Sequence, residues 1–213
     1  MNNNWPCCFI DREITMKKFI YLGLWLLFLF PMAVQAQPPA NNSNYWPVYR
    51  DDQTGFRISY PPTWLVVQPK GRNVRFSVNP PDGPGNCNVV ARPNSEISST
   101  SQAILNKEVE SLPQDPQSWA EYAGFPQQQI KVIESRIAKI ADIPALTGTI
   151  EAKLENLEGK FTRKQVVALT FTPGVVWSLN CGASSFNENE AKSRYDALMP
   201  SFKKILGSFT FIK

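Results

Sequence analysis

The chain contains no histidine. That absence removes Ser-His-Asp and Cys-His catalysis, His-ligated zinc and any switch built on imidazole titration. It also lacks a G-x-S-x-G elbow, a Walker A loop, a G-x-G-x-x-G fingerprint and a Cys-x-x-Cys pair. The nucleophile, phosphate-cradling and redox chemistry that those strings carry has no anchor here. Excess charge of one sign is also missing. Lys and Arg number 22 against 18 Asp and Glu, a formal charge of +4, too mild for the basic footprint of a nucleic-acid binder.

What is present is an export address. Met16-Lys17-Lys18 is a positive n-region, Phe19 to Phe30 is an apolar core broken by Pro31, and Val34-Gln35-Ala36 offers small residues for cleavage. This pattern predicts a secretory signal peptide over residues 1–36, cut after Ala36. The apolar run is short for a span of about 20 residues, so the membrane is crossed only during export. With neither a twin Arg nor a Cys just after the apolar run, the general secretory route and a periplasmic or secreted location are expected. Residues 1–15 carry Asp11 and Glu13, foreign to an n-region, and Met16 reads as the true start. Removal of residues 1–36 takes away Arg12, Lys17 and Lys18 together with Asp11 and Glu13, and leaves +3.

Residues 37–44 (QPPANNSN) read as a flexible leader. Residues 45–213 show no linker or repeat and read as one domain. Strand signals dominate its second half. Leu146 to Leu154, Val167 to Phe171 and Val175 to Ala183 each keep apolar residues on one parity, with a Pro173-Gly174 turn between the last two. Ile130 to Ile140 is a further strand whose parity shifts at Ile133, which predicts a bulge. Earlier, Phe56 to Tyr60, Trp64 to Val67, Val74 to Val78 and Cys87 to Ala91 read as short strands punctuated by Pro.

Three helices follow from their start signals. Ser99-x-x-Gln102 is a capping box before Leu105, Val109 and Leu112. Asp115-Pro116 gives an N-cap with proline at the first position, then Trp119, Ala123 and Gly124. Asn187-x-x-Glu190 opens a helix with a stripe of Ala191, Tyr195, Leu198, Phe202 and Ile205. Pro200 predicts a kink or a split, Gly207 the end, and residues 208–212 a last strand. The sum is α+β, an antiparallel β-sheet with helices packed on it. Aromatic residues on these stripes read as core in preference to a ligand pocket.

Cys87 and Cys181 share the inward parity of their strands. In an exported chain they favour a disulfide, with two buried free thiols as the alternative. Ser201-x-x-Lys204 matches S-x-x-K, but no S-D-N or K-T-G accompanies it. Asp51-Asp52 and Glu188 with Glu190 are the closest acidic pairs, and solvated charge fits them better than a cation site. Lys70, Arg72 and Arg75 form a basic cluster beside Trp64 in sequence. It is either an interface for an anionic surface or an exposed turn whose charges protect a strand edge.

Tyr49-Arg50-Asp51-Asp52 and the run from Phe56 through Tyr60-Pro61-Pro62-Thr63-Trp64 resemble the opening of PsbP-like proteins. Val175 to Ala183, then Tyr195, Phe202, Ile205, Ser208 and Phe209, are similar to that family's last strand, helix and closing strand. The resemblance implies a PsbP-like α/β/α sandwich around an antiparallel sheet. It also implies a non-catalytic binding or assembly role, shared by an extrinsic photosystem subunit, a Ran-binding import factor and exported bacterial proteins. The photosystem member's histidines and lumenal transit signal are absent, so no metal site carries over. The expectation is an exported, non-enzymatic accessory module. It would be monomeric, bind no cofactor and no nucleic acid, and have a protein or envelope partner still to be found. The alternatives are a small hydrolase using carboxylates alone and a carrier of an apolar ligand held between sheet and helices.

Overall fold

Among the described residues, ten strands and three α-helices arise where the two periodicities are strongest. The computed structural model describes residues 45–125, 129–157 and 159–212. The signal sequence, its cleavage at Ala36, the start at Met16 and the leader 37–44 lie outside the described residues. In chain order the elements are β1 (Val48–Asp51), β2 (Phe56–Ser59), β3 (Leu65–Val66), β4 (Val74–Asn79), β5 (Gly85–Pro93), α1 (Gln102–Glu110), α2 (Pro116–Ala123), β6 (Gln129–Ile140), β7 (Ile143–Asn156), β8 (Gly159–Thr172), β9 (Val175–Ser185), α3 (Glu188–Ser208) and β10 (Thr210–Phe211). The class is α+β, as the residue pattern predicts.

Seven strands form one antiparallel sheet in the order β3-β4-β5-β9-β8-β7-β6. Strand β5 pairs with β9, so everything between them, α1 and α2 included, is an excursion from that seam. A second, three-stranded sheet, β1-β2-β10, is separate. The closing strand therefore leaves the main sheet, a division that strand periodicity alone does not reveal. The shift at Ile133 is a bulge: the β6–β7 register slips between Val132 and Glu134, and Ile133 is 48% exposed. Ala141 and Asp142, both at positive φ (49° and 67°), make the two-residue turn from β6 to β7.

The large sheet is covered on both faces. On one face, α3 and the small sheet enclose Phe56, Phe76, Trp177, Tyr195, Phe202 and Phe209. On the other, α1 and α2 bury Val109, Trp119, Leu146, Ile150, Val167 and Leu169. Trp119 lies flat on the sheet because residue 148 is glycine. A Cβ there would meet the indole at 2.4 Å, so a larger residue would lift α2.

Three helix expectations need correction. The capping box at Ser99 does not form. Thr100 N still bonds Ile97 O in the preceding turn, so the first helical bond starts from Ser101. Gln102 instead donates to Phe171 O (2.9 Å) and Asn106 Oδ1 (2.8 Å). Pro200 does not split α3, which runs unbroken for 21 residues. Pro200 sits on the exposed side, while Ala191, Tyr195, Phe202 and Ile205 are buried on both sides of it. Their packing outweighs the roughly 3 kcal/mol cost of an interior proline. Gly207 does not end the helix either. Ser208 does: its Oγ donates to Ile205 O (2.7 Å) and accepts from Ser59 N (2.9 Å), which ties the helix end to β2. Asp115 caps α2 as expected, accepting from Gln117 N (3.0 Å) and Ser118 N (3.1 Å), and Asn187 caps α3.

Candidate functional site

The strands that carry the core also carry a second, polar face. In β5, Cys87, Val89 and Ala91 are buried, so Asn86 and Asn88 turn the other way. In β9, Trp177, Leu179, Cys181 and Ala183 face α3, which leaves Ser178, Asn180, Gly182 and Ser184 opposite. In β8, one face reads Arg163, Gln165, Val167, Leu169. Its apolar half lies under α1 and α2, and its polar half lies beyond them.

There the sheet opens into a cleft of about 540 Å³, lined by Lys70, Ser77, Asn86, Asn88, Arg163 and Ser184 among others, and by no residue of any helix. Arg163 is its centre. Nε donates to Gln165 Oε1 (2.6 Å), Nη1 to Ser184 Oγ (3.2 Å) and Nη2 to Asn86 Oδ1 (2.6 Å). Gln165 is only 2% exposed and reaches across residue 182, where a Cβ would meet Gln165 Cβ at 2.5 Å. Glycine at 182 is therefore what allows the glutamine to lie flat and brace the guanidinium. Ser77 donates to Asn88 Oδ1 (2.7 Å) on the neighbouring wall. Among the described residues no carboxylate pairs with Arg163. Desolvation lowers its pKa to about 10, still far above neutrality, so the charge persists.

This arrangement can hold and orient a polar group. The cleft has no carboxylate, thiol or imidazole lining it, and its two serines are bonded to an amide and a guanidinium, not to a base.

Cys87 and Cys181 face each other across β5 and β9 with Cα atoms 4.1 Å apart, bonded as a disulfide and 1% exposed. The bridge lies on the α3 side of the two strands whose other side floors the cleft, so it fixes their spacing. Lys70 is exposed on the rim of the cleft, and Arg72 is exposed in the turn before β4. Arg75 belongs elsewhere. It occupies the β4 bulge, is half-buried, and its carbonyl accepts from the Tyr49 hydroxyl (3.1 Å). Trp64 is buried with its ring edge-on to Phe202, so it faces the core.

The acidic pairs are occupied. Asp51 accepts from Gln53 N, Thr54 N and Thr54 Oγ1 in a turn, and Asp52 pairs with Arg50 (2.6 Å). Glu188 is held by Lys192 (2.7 Å) and Glu190 by Ser185 and Arg194, and these bonds keep both carboxyls below their ordinary pKa. Buried Glu151 also reaches Lys192 (3.7 Å). Among the described residues no cluster of acids or cysteines could hold a metal ion. In the S-x-x-K string, Lys204 Nζ lies over the Trp46 ring (4.1 Å), a cation–π contact that assigns it to packing.

Sequence reasoning missed Arg163, Gln165, Asn86 and Asn88. The signal was there: two asparagines at i and i+2 on the outward face of a strand, a position that disfavours them.

Solved structures similar to this chain share low identity with it. The cyanobacterial PsbP protein (CyanoP) of Synechocystis sp. PCC 6803 is 15% identical, covers 83% of this chain and 98% of its own, and has a TM-score of 0.49. LpqN of Mycobacterium tuberculosis, described as involved in cell envelope biogenesis, gives 14%, 80%, 93% and 0.43. The Ran-binding protein Mog1p of Saccharomyces cerevisiae gives 11%, 79%, 96% and 0.49. No curated protein sequence matches the chain. The family model for PsbP, in contrast, matches residues 46–211, from just before β1 through β10. By that match the chain belongs to the PsbP family.

Proposed function

We propose that this protein is an exported, non-enzymatic binding or assembly module that engages its partner through the open polar face of the seven-stranded sheet. The observation that carries the reading is the cleft itself. A fold that covers both faces of its sheet leaves one region bare, and lines it with interlocked amides, hydroxyls and a guanidinium. Such a surface binds without supplying an acid, a base or a nucleophile.

The disulfide supports export, because bridges of this kind form and persist in oxidising compartments. Membership of the PsbP family is consistent with an accessory role. The partner is a protein or envelope component, and the chain acts as a monomer.

The test is paired affinity capture from the envelope fraction with wild type and Asn88→Trp, which fills the cleft without altering charge. A partner retained by wild type and lost by N88W is the expected result. Equal recovery by both overturns the reading.

A further inference from the structure

We infer that the cleft recognises a carboxylate group, gripped by Arg163 and carried on a frame of hydroxyls or amides. The inference rests on reading the open face as the binding surface and names what that surface selects.

Arg163 is a built cation. Three of its N–H groups are spent on neutral oxygens, Gln165 Oε1, Ser184 Oγ and Asn86 Oδ1, which fix the plane of the guanidinium. A guanidinium carries five N–H donors, so two remain to be directed at a ligand. An enclosed cation without a counter-charge is costly, and this one has no carboxylate partner among the described residues. An anion entering the cleft meets that need.

Fork geometry and charge both favour a carboxylate. A planar guanidinium with two N–H groups to offer matches a planar, singly charged acceptor. A phosphate dianion would need a second enclosed cation, and the other one present, Lys70, sits exposed on the rim. The remaining lining includes Ser77, Asn86, Asn88 and Ser184, groups that both donate and accept and so suit hydroxyls and amides better than an alkyl chain. No acidic side chain lines the cleft to repel the ligand.

The carboxylate could belong to a free hydroxylated acid or to an acidic side chain of a partner. Titration of the labelled, disulfide-bonded protein, followed by backbone amide shifts, separates the two. The free-acid arm uses D-glucuronate against neutral D-glucose. The side-chain arm uses N-acetyl-L-aspartate amide against N-acetyl-L-asparagine amide. At least one acid should move the Asn86, Arg163 and Ser184 amides in the millimolar range, with its neutral counterpart silent, and the arm that responds identifies the source. Arg163→Gln should weaken that binding by about tenfold or more, the worth of one charged hydrogen bond. Arg72→Gln should not change it. Arg163→Lys keeps the charge but loses the fork, and should bind more weakly than wild type with its spectrum otherwise intact.

Equal shifts from acid and neutral counterpart, unchanged binding in R163Q, or tighter binding of inorganic phosphate would each overturn the carboxylate assignment. Silence from both acids would overturn it too. If N88W still abolishes partner capture in any of these cases, the binding surface stands and only its ligand class is wrong.

Discussion

Removing the disulfide as the double variant Cys87→Ala, Cys181→Ala should cost the protein a large part of its stability. The bridge closes a loop of 94 residues. Restricting that loop in the unfolded chain is worth about 4.6 kcal/mol by chain entropy. Both sulfurs are 1% exposed in the core, and losing their packing adds about 1–2 kcal/mol. The folded state gives little back, because β5 and β9 are paired along nine residues whether or not the sulfurs are bonded. The sum, about 6–7 kcal/mol, compares with roughly 5–15 kcal/mol for a whole domain. Urea unfolding followed by the fluorescence of buried Trp119 and Trp177 measures it directly. The midpoint should fall steeply, the m-value should rise because the unfolded chain without its bridge exposes more surface, and the Tm should drop by about 12–28 °C. A loss under about 2 kcal/mol would refute the reasoning, since it would place the unfolded chain's restriction elsewhere.

Further outcomes follow from other sites. Trp119→Ala should cost about 3–5 kcal/mol, and Gly148→Val should release α2, seen as faster amide exchange over residues 117–123; unchanged exchange would contradict the packing described. Gly182→Ala should destabilise by roughly 1–3 kcal/mol and displace Gln165 from Arg163, read as a shift of the Arg163 side-chain resonance. Asp115, Glu188 and Glu190 all titrate below their ordinary values because hydrogen bonds favour their charged forms. Their stabilisation is therefore present above the unfolded carboxylate pKa and is lost as pH falls through the folded values. Denaturation midpoints should stay level between about pH 5 and 8, where histidine would otherwise titrate, and fall in acid, less steeply in Asp115→Asn. An identical acid limb in that variant would refute the assignment. The exported protein should show no titratable thiol when denatured without reductant; two per chain would contradict the bridge and the compartment it implies.

The meander β7-β8-β9 was legible because the large apolar side chains keep one parity along each strand, a period-two alternation that survives in the residues themselves even though both faces of these strands are covered over much of their length. The Ile133 bulge was legible for the same reason: one extra residue flips the parity. Cap positions were readable at Asp115 and Asn187, whose partners are two or three residues away, but not at Ser99, where the preceding turn bonds first. The split at Pro200 did not occur because the proline's cost is local, while the four buried side chains that keep α3 continuous pack on strands far away in the chain. The cleft was the least legible feature. Arg163, Gln165, Asn86 and Ser184 come from three strands, and only the β5–β9 and β8–β9 registers bring them together. No spacing within one segment encodes that meeting.

The most direct test of the account places a photo-crosslinking side chain at Gln68, on the cleft's exposed rim, and at Lys131, exposed on β6 at the sheet's far end. A covalent adduct with the captured partner from position 68 and none from position 131 is the predicted result. Adducts from 131 alone, or from both positions equally, would contradict the claim that this PsbP-family protein binds through the open face of its sheet.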